Sequence, residues 1–282
     1  RYFTMMPYSP SELILNPDGS VYHLGLKGED IPDLVFTVGD PDRVSSVTAH
    51  FDTILWEKNR REFKMVRGHV FGKDALVMST GMGTDNIDIV LNELDAAVNI
   101  DPVTRINHKE HRILTIIRIG TSGAIDPAIP LGSLLVSEGA LAFDALLPYY
   151  EHSFKRIDIT ASPVNPFYIA APHSKKVHWE GLYHGITATL PGFYAPQGRS
   201  IKLKSTFSQA LNELISIHIG EHHVTNFEME TSGIYALAHL LGHEAYSFSA
   251  LLANRANGTF HEQPEEAINE LIKKVLAWAS TL

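Results

Sequence analysis

ILTIIRIGTSG, residues 113–123, is the stretch whose reading decides the fold. Its first seven residues form a continuous apolar run interrupted only by Thr115 and Arg118, which predicts a strand buried on both faces. Gly120-Thr121-Ser122-Gly123 is expected to stop that strand. Arg118 is the anomaly. A guanidinium inside a buried strand costs free energy unless it is paired. At the carboxyl edge of a sheet it would instead face the crevice where α/β folds bind ligands.

Working outward, further segments alternate between strand and helix patterns. DLVFTV (33–38) is a β-type run ended by Gly39-Asp40-Pro41, and 63–80 reads as a hairpin turned at Gly72-Lys73-Asp74. Ile87, Val90, Leu91, Leu94 and Val98 lie on one helical face, with Thr84 or Asp85 as the expected N-cap. A polar stretch, 101–111, precedes the apolar run. Residues 133–143, 183–190 and VTNF (224–227) are strand candidates. Helices are expected over 206–219, ending at Gly220, over 229–241, ending at Gly242, and over 264–280, opening on Pro264. This alternation predicts a three-layer α/β/α sandwich with a central sheet, built as a single domain over 20–282. Residues 1–19, rich in Pro, Ser and Asn from position 7 onward, read as an irregular arm.

The 282 residues carry 23 Lys+Arg against 32 Asp+Glu, a formal net charge of −9. That balance excludes a general nucleic-acid or anionic-membrane binder, which needs a basic face. It leaves room for a small anion held by a few placed arginines. Zero cysteines exclude disulfides and thiolate-based metal sites and suit a cytoplasmic protein. No apolar run reaches the length of a membrane span, and RYFTMMPYSP does not read as a secretory leader.

Several motifs bear on chemistry. GMGTDN (81–86) sits between strand and helix like a dinucleotide-binding turn, but Asn86 takes the third glycine position. Two glycines there still let main-chain amides approach a ligand. His218, His222 and His223 invite a zinc reading, which Gly220 weakens by interrupting the helix between them, so no metal site is expected. A G-x-S-x-G elbow is absent.

Arg43 and Arg118 each adjoin a glycine turn. With Thr121 they would make a phosphate site, and structural ion pairing explains the same arginines equally well. FYAPQGR (193–199) offers Gln197, whose amide both donates and accepts, beside forked Arg199, a pair suited to a planar heterocycle. Glu228-Met229-Glu230 opens a helix, where the dipole favours carboxylates. Two carboxylates around an apolar Met could also grip a sugar.

Together these segments resemble the nucleoside phosphorylase-I family, most closely its uridine-cleaving branch. The resemblance runs from Tyr22 to the last helix and rests on VYHLGL, VGDPDRV, RREF, STGMG, RIGTSGAI, FYAPQGR, NFEMET and ANR, in that order. It implies the nucleoside phosphorylase-like fold and a chain that dimerises, in some members further to a hexamer. It also implies that Gly39, Arg43, Arg118 and Thr121 hold phosphate, with Arg61 reaching in from a partner subunit. Met229 and Glu230 would grip the ribose, and the partner's His23 its 5′-hydroxyl. Gln197 and Arg199 would read the base edge, Phe193 would stack near base and sugar, and Arg255 would help close the base pocket.

Arg118, Glu230, Gln197 and Arg199 are thereby the expected catalytic set. No cofactor is implied, and inorganic phosphate is the co-substrate. Purine-cleaving members carry an aspartate general acid where this chain reads Ala253-Asn254-Arg255. The resemblance therefore implies reversible phosphorolysis of uridine to uracil and ribose 1-phosphate. The alternatives are a purine nucleoside phosphorylase or a nucleosidase of the same fold, and less readily an inactive nucleoside-binding protein.

Overall fold

The computed structural model describes residues 6–282, so residues 1–5 of the expected arm lie outside it. Thirteen strands join in one sheet: β1 (Leu34–Val38), β2 (Thr53–Arg60), β3 (Phe63–Val70), β4 (Lys73–Ser79), β5 (Thr115–Ala124), β6 (Leu134–Ala142), β7 (Lys155–Arg156), β8 (Phe167–Ala170), β9 (Leu182–Thr189), β10 (His218–Ile219), β11 (His222–Glu228), β12 (Glu244–Asn254) and β13 (Thr259–Phe260). The helices are α1 (Pro41–Thr48), α2 (Thr84–Asn99), α3 (Ala210–Leu214), α4 (Thr231–Leu241) and α5 (Pro264–Ala279). Strand order along the sheet is β10-β11-β9-β6-β12-β5-β1-β4-β3-β2. Strands β4, β1, β5 and β12 run parallel, β3 is antiparallel to both its neighbours, and β6 is antiparallel to β12 but parallel to β9, so the sheet is mixed.

Period-two alternation assigns the central strands to two cores. Val35, Leu76, Met78 and Ile116 pack against the apolar stripe of α2 and against Ile234 and Leu237 of α4. Phe36, Val77, Ile117 and Ile119 face Val44 and Val47 of α1 and the Ile268–Leu271–Ile272–Val275 stripe of α5. This is the expected three-layer sandwich. Helix α4 opens Thr-Ser-Gly, poor helix formers, so burial rather than propensity holds it. At about 1.5–3 kcal/mol per large apolar side chain, Ile234 and Leu237 outweigh that deficit. Gly233 admits close approach to α2, since a Cβ there would lie 3.0 Å from Thr84 Cγ2.

The sheet also closes on itself. Strand β11, parallel to β9, pairs antiparallel with β5 through Asn226↔Ala124 and Phe227↔Gly123. Strands β5, β12, β6, β9 and β11 therefore form a ring. A third core, with Leu141, Ile186, Phe207 and Leu214, lies beneath it.

Three expectations need correction, and the sequence reading leaves α1, β2 and β12 unmarked. Strand β5 does not stop at Gly120 but continues through Ala124, because β12 pairs with it along its whole length. Neither Thr84 nor Asp85 is the N-cap of α2; that position is Gly83, at φ 93°, and Thr84 is buried inside the first turn. Of 206–219 only Ala210–Leu214 is α-helical, because His218–Ile219 turns back through Gly220 to pair with β11. Strand β2, which sequence patterning does not mark, is an edge strand with mostly exposed residues.

Residues 6–19 of the arm are irregular apart from a bridge between Leu15 and Val21. The arm packs on the polar 101–111 stretch. Arg105, held at φ 59°, donates to the carbonyls of Tyr8 (2.8 Å), Ser9 (3.1 Å) and Leu13.

Candidate active site

A cavity of about 570 Å³ opens at the carboxyl ends of β1, β4, β5 and β12 and at the end of β11. This is where α/β sheets bind ligands. Gly39, Arg43, Arg118, Thr121, Phe193, Gln197, Arg199, Met229 and Glu230, all expected site residues, line it together.

Arg118 lies in mid-strand and is 6% exposed. Its Nη2 donates to Glu230 Oε2 at 2.8 Å and sits 3.0 Å from Glu228 Oε2. Its guanidinium folds back over Gly120, where a Cβ would come within 2.1 Å of Nη1. Glycine is therefore required there for space, not for a turn. The two sequence readings of this arginine are both realised: it is ion-paired, and it still lines the cavity. Burial opposes its charge, but Glu228 and Glu230 outweigh burial and push its pKa up.

Glu228 anchors the cluster. Its carboxylate accepts the amides of Glu230 (2.8 Å) and Thr231 (2.9 Å) at the start of α4, and the Thr189 hydroxyl at 2.7 Å. Burial raises its pKa, opposed by Arg118 and reinforced by Glu230. Glu230 Oε1 accepts the Gly83 amide at 2.8 Å, joining the GMG turn to α4. Each Glu230 oxygen keeps a lone pair for a ligand hydroxyl. Arg43, on the first turn of α1, has its pKa lowered by burial and then by the charge of Arg118. Two cations facing one cavity beside the Gly39 turn make an anion site.

Gln197, 3% exposed, sits on a 3₁₀ turn closed by Gly198 at φ 72°. Arg199 Nη1 donates to Gln197 Oε1 at 2.6 Å, and its guanidinium stacks 3.8 Å from the Phe193 ring centre. The pair presents donors and an acceptor beside an aromatic face.

Three expected residues do not line this cavity. Arg255 braces it from behind, donating to the Gln197 carbonyl at 3.3 Å. His23 and Arg61 lie together elsewhere: Arg61 stands 5.8 Å from the Tyr22 ring centre, and Tyr22 packs edge-on to His23. Glu93 fixes His23, accepting its Nδ1–H at 2.5 Å and the amides of His23 and Leu24.

The sequence reading missed Met82, Phe227, Leu252 and Phe260 as cavity walls. Met82 and Phe227 lie inside the GMG and NFEMET motifs and could have been drawn from them. Phe260 had no signal, since it arrives through β13 pairing on the end of β12.

Of the three histidines noted in the sequence, His218 and His223 make local structural bonds. His223 Nε2 bonds Asp126 Oδ2 at 2.8 Å and His218 Nδ1 bonds the Ser216 carbonyl at 2.9 Å. Asp95, His111 and His243 form a tighter group at the opposite end of the sheet, within 4.8 Å. The Leu114 amide donates to His243 Nδ1 at 3.2 Å, while His243 Nε2 lies 3.2 Å from Asp95 Oδ1 without a hydrogen bond to it, and His111 Nε2 is likewise buried without a partner. No helix of the described residues is long and apolar enough to cross a membrane.

Comparison with known proteins agrees with this geometry. Residues 33–281 match the model of the phosphorylase superfamily. The chain is 30% identical over 269 residues to the uridine phosphorylase of Thermococcus kodakarensis, covering 93% of this chain and 88% of that protein. It is 27% identical over 241 residues to the uridine phosphorylase of Escherichia coli, covering 83% and 86%. A solved Trypanosoma brucei nucleoside phosphorylase with uridine phosphorylase activity superposes at a TM-score of 0.81 and 27% identity, covering 95% of this chain and 99% of that one.

Proposed function

Because this chain belongs to the phosphorylase superfamily, we propose that its cavity carries out the reversible phosphorolysis of uridine to uracil and ribose 1-phosphate. The observation that carries the proposal is one cavity holding an arginine pair, a sugar-directed carboxylate and a Gln–Arg pair beside an aromatic ring. The uridine phosphorylases among its relatives support the choice of base.

In this reading Arg43, Arg118, Thr121 and the Gly39 turn hold phosphate beneath the sugar. Glu230 accepts ribose hydroxyls, and Met229 packs against the ring. A phosphate oxygen bonds to the anomeric carbon as the bond from that carbon to the base nitrogen breaks. The electron pair passes into uracil and spreads over its two carbonyls. Arg199 and Gln197 stabilise that charge, and Phe193 stacks on the leaving ring. Uracil then takes its proton from solvent, so no protein general acid is needed. The reaction uses no cofactor or metal.

We also propose that a second copy of the chain completes the site. His23 and Arg61 both adjoin Tyr22 and do not line their own cavity, which suits donation to a partner's phosphate and 5′-hydroxyl. A cytoplasmic location belongs to the same proposal and rests on the cysteine-free sequence. The test follows uridine and inosine with and without inorganic phosphate. Phosphate-dependent uracil and ribose 1-phosphate formation is expected. Rapid inosine cleavage without uridine cleavage would overturn the assignment.

A further inference from the structure

Two residues of the site motifs have no role in this reaction so far, Ser122 of RIGTSGAI and Asn226 of NFEMET. We propose that Ser122 donates a hydrogen bond to a carbonyl of the leaving base, and that Asn226 is the positioning residue that aims it. The inference rests on the proposed uridine chemistry and extends it.

Ser122 is on the cavity wall by strand periodicity. Arg118, Gly120 and Ser122 share one face of β5, and the Arg118 guanidinium covers Gly120. The next side chain along that face is Ser122, which lines the cavity. It stands between Thr121, on the phosphate side, and Gly123, where a Cβ would lie 3.0 Å from the Phe227 ring. Phe227 in turn lies 6.0 Å from the Arg199 guanidinium, on the base side.

Asn226 cannot touch a ligand, being 0% exposed. Its Nδ2 donates to Ser122 Oγ at 2.9 Å. Its Oδ1 accepts from the hydroxyls of Thr187 (3.0 Å) and Thr225 (2.9 Å). Thr187 is itself 2.6 Å from Ser137 Oγ. A buried polar chain, Ser137–Thr187–Asn226–Ser122, thus crosses the ring from β6 through β9 and β11 to β5 and ends at the cavity. Two hydroxyl hydrogens supplied to the amide oxygen turn the NH₂ toward Ser122. One lone pair of Ser122 Oγ is then spent on Asn226, and its single hydrogen is left for the cavity.

A donor beside the base gains strength as negative charge builds on the uracil carbonyl, so it acts on the bond-breaking step. Ser122→Ala is expected to lower kcat for uridine about 3- to 10-fold, the range of one hydrogen bond, with the KM for phosphate unchanged. Ser122→Thr, which keeps the hydroxyl, should recover most of the loss. Asn226→Asp places an acceptor where a donor stood and draws the Ser122 hydrogen away from the cavity. It should lower kcat similarly in the native background and add nothing in the Ser122→Ala background.

If Asn226→Asp does not fold, Asn226→Leu gives the same cycle, and Ser122→Ala with its threonine rescue stands alone. Unchanged uridine kinetics in Ser122→Ala would overturn the inference, as would a loss confined to the phosphate KM. Additive effects of the two substitutions would remove Asn226 from its positioning role. A native enzyme that does not cleave uridine would instead overturn the functional assignment on which this rests.

Discussion

Arg118 and Glu230, 112 residues apart in sequence, meet through a 2.8 Å hydrogen bond on the cavity wall. The same guanidinium nitrogen lies 3.0 Å from Glu228, so one cation serves two buried carboxylates. The proposed phosphate and ribose residues and the start of α4 are thereby linked at a single side chain.

Removing that cation leaves two buried carboxylates without their partner. Arg118→Met is expected to destabilise the fold by about 3–5 kcal/mol, the scale for breaking a buried ion pair. Urea unfolding followed by circular dichroism measures this. A change below about 1 kcal/mol would show that the carboxylates do not depend on Arg118. Glu230→Gln removes one charge, keeps an acceptor for the Gly83 amide, and should cost far less stability while reducing turnover.

Arg199 is half-exposed and makes no buried ion pair, so its removal should spare the fold. Arg199→Ala is expected to lower uridine turnover by about 10²–10³, as for loss of one donor to a developing oxyanion. Its melting temperature should stay close to that of the native chain. An unaltered rate would take Arg199 out of the mechanism.

If a neighbour supplies Arg61 and His23, two inactive variants can rescue each other. Arg61→Ala and Arg199→Ala, co-refolded or co-expressed, should form mixed dimers with one intact site, recovering about a quarter of native activity from statistical assembly of two equal pools. No recovery from a mixture shown to form mixed dimers would place Arg61 in its own subunit's chemistry.

His173 stacks on Tyr246 at 4.6 Å between ring centres, and its Nε2 is buried without a partner. Burial holds its pKa below the usual histidine value, against the pull of Glu138 and Glu244. The unfolded chain therefore takes up this proton first as pH falls through about 6.5. Stability contributed by neutral His173 is complete above that range and declines below it, until the folded protein also protonates. His173→Phe, which keeps the stack and cannot titrate, should show a shallower loss of melting temperature between about pH 7.5 and 5.5. An identical slope would exclude His173 from the acid response.

Local pattern carried much of the architecture. Helix α5 needed only Pro264 and its apolar stripe of Ile268, Leu271, Ile272, Val275 and Leu276, and α4 its terminal Gly242 at φ 86°. The β3–β4 hairpin followed from alternation and a short turn. These elements are determined by neighbours within a few residues, so their signals are present in any short window. The 206–219 segment misled because its weak helical period competed with a strand pairing that only β11 could provide.

The motifs likewise fixed which residue types meet: the arginines, the Glu-Met-Glu run and the Gln–Arg pair were recognisable one segment at a time. How they meet was decided by closure of the sheet, with β11 pairing to both β9 and β5. That closure lays Glu228 and Glu230 against Arg118 and turns Gly120 from an expected strand stop into the space a guanidinium occupies. It also runs a chain of hydroxyls and one carboxamide to Ser122. Sequence by itself determined α2, α4 and α5, about half of the strands and the chemistry available. The tertiary structure alone decided the charge pairing and hydrogen-bond directions, because these depend on groups up to about a hundred residues apart whose separation no local propensity encodes.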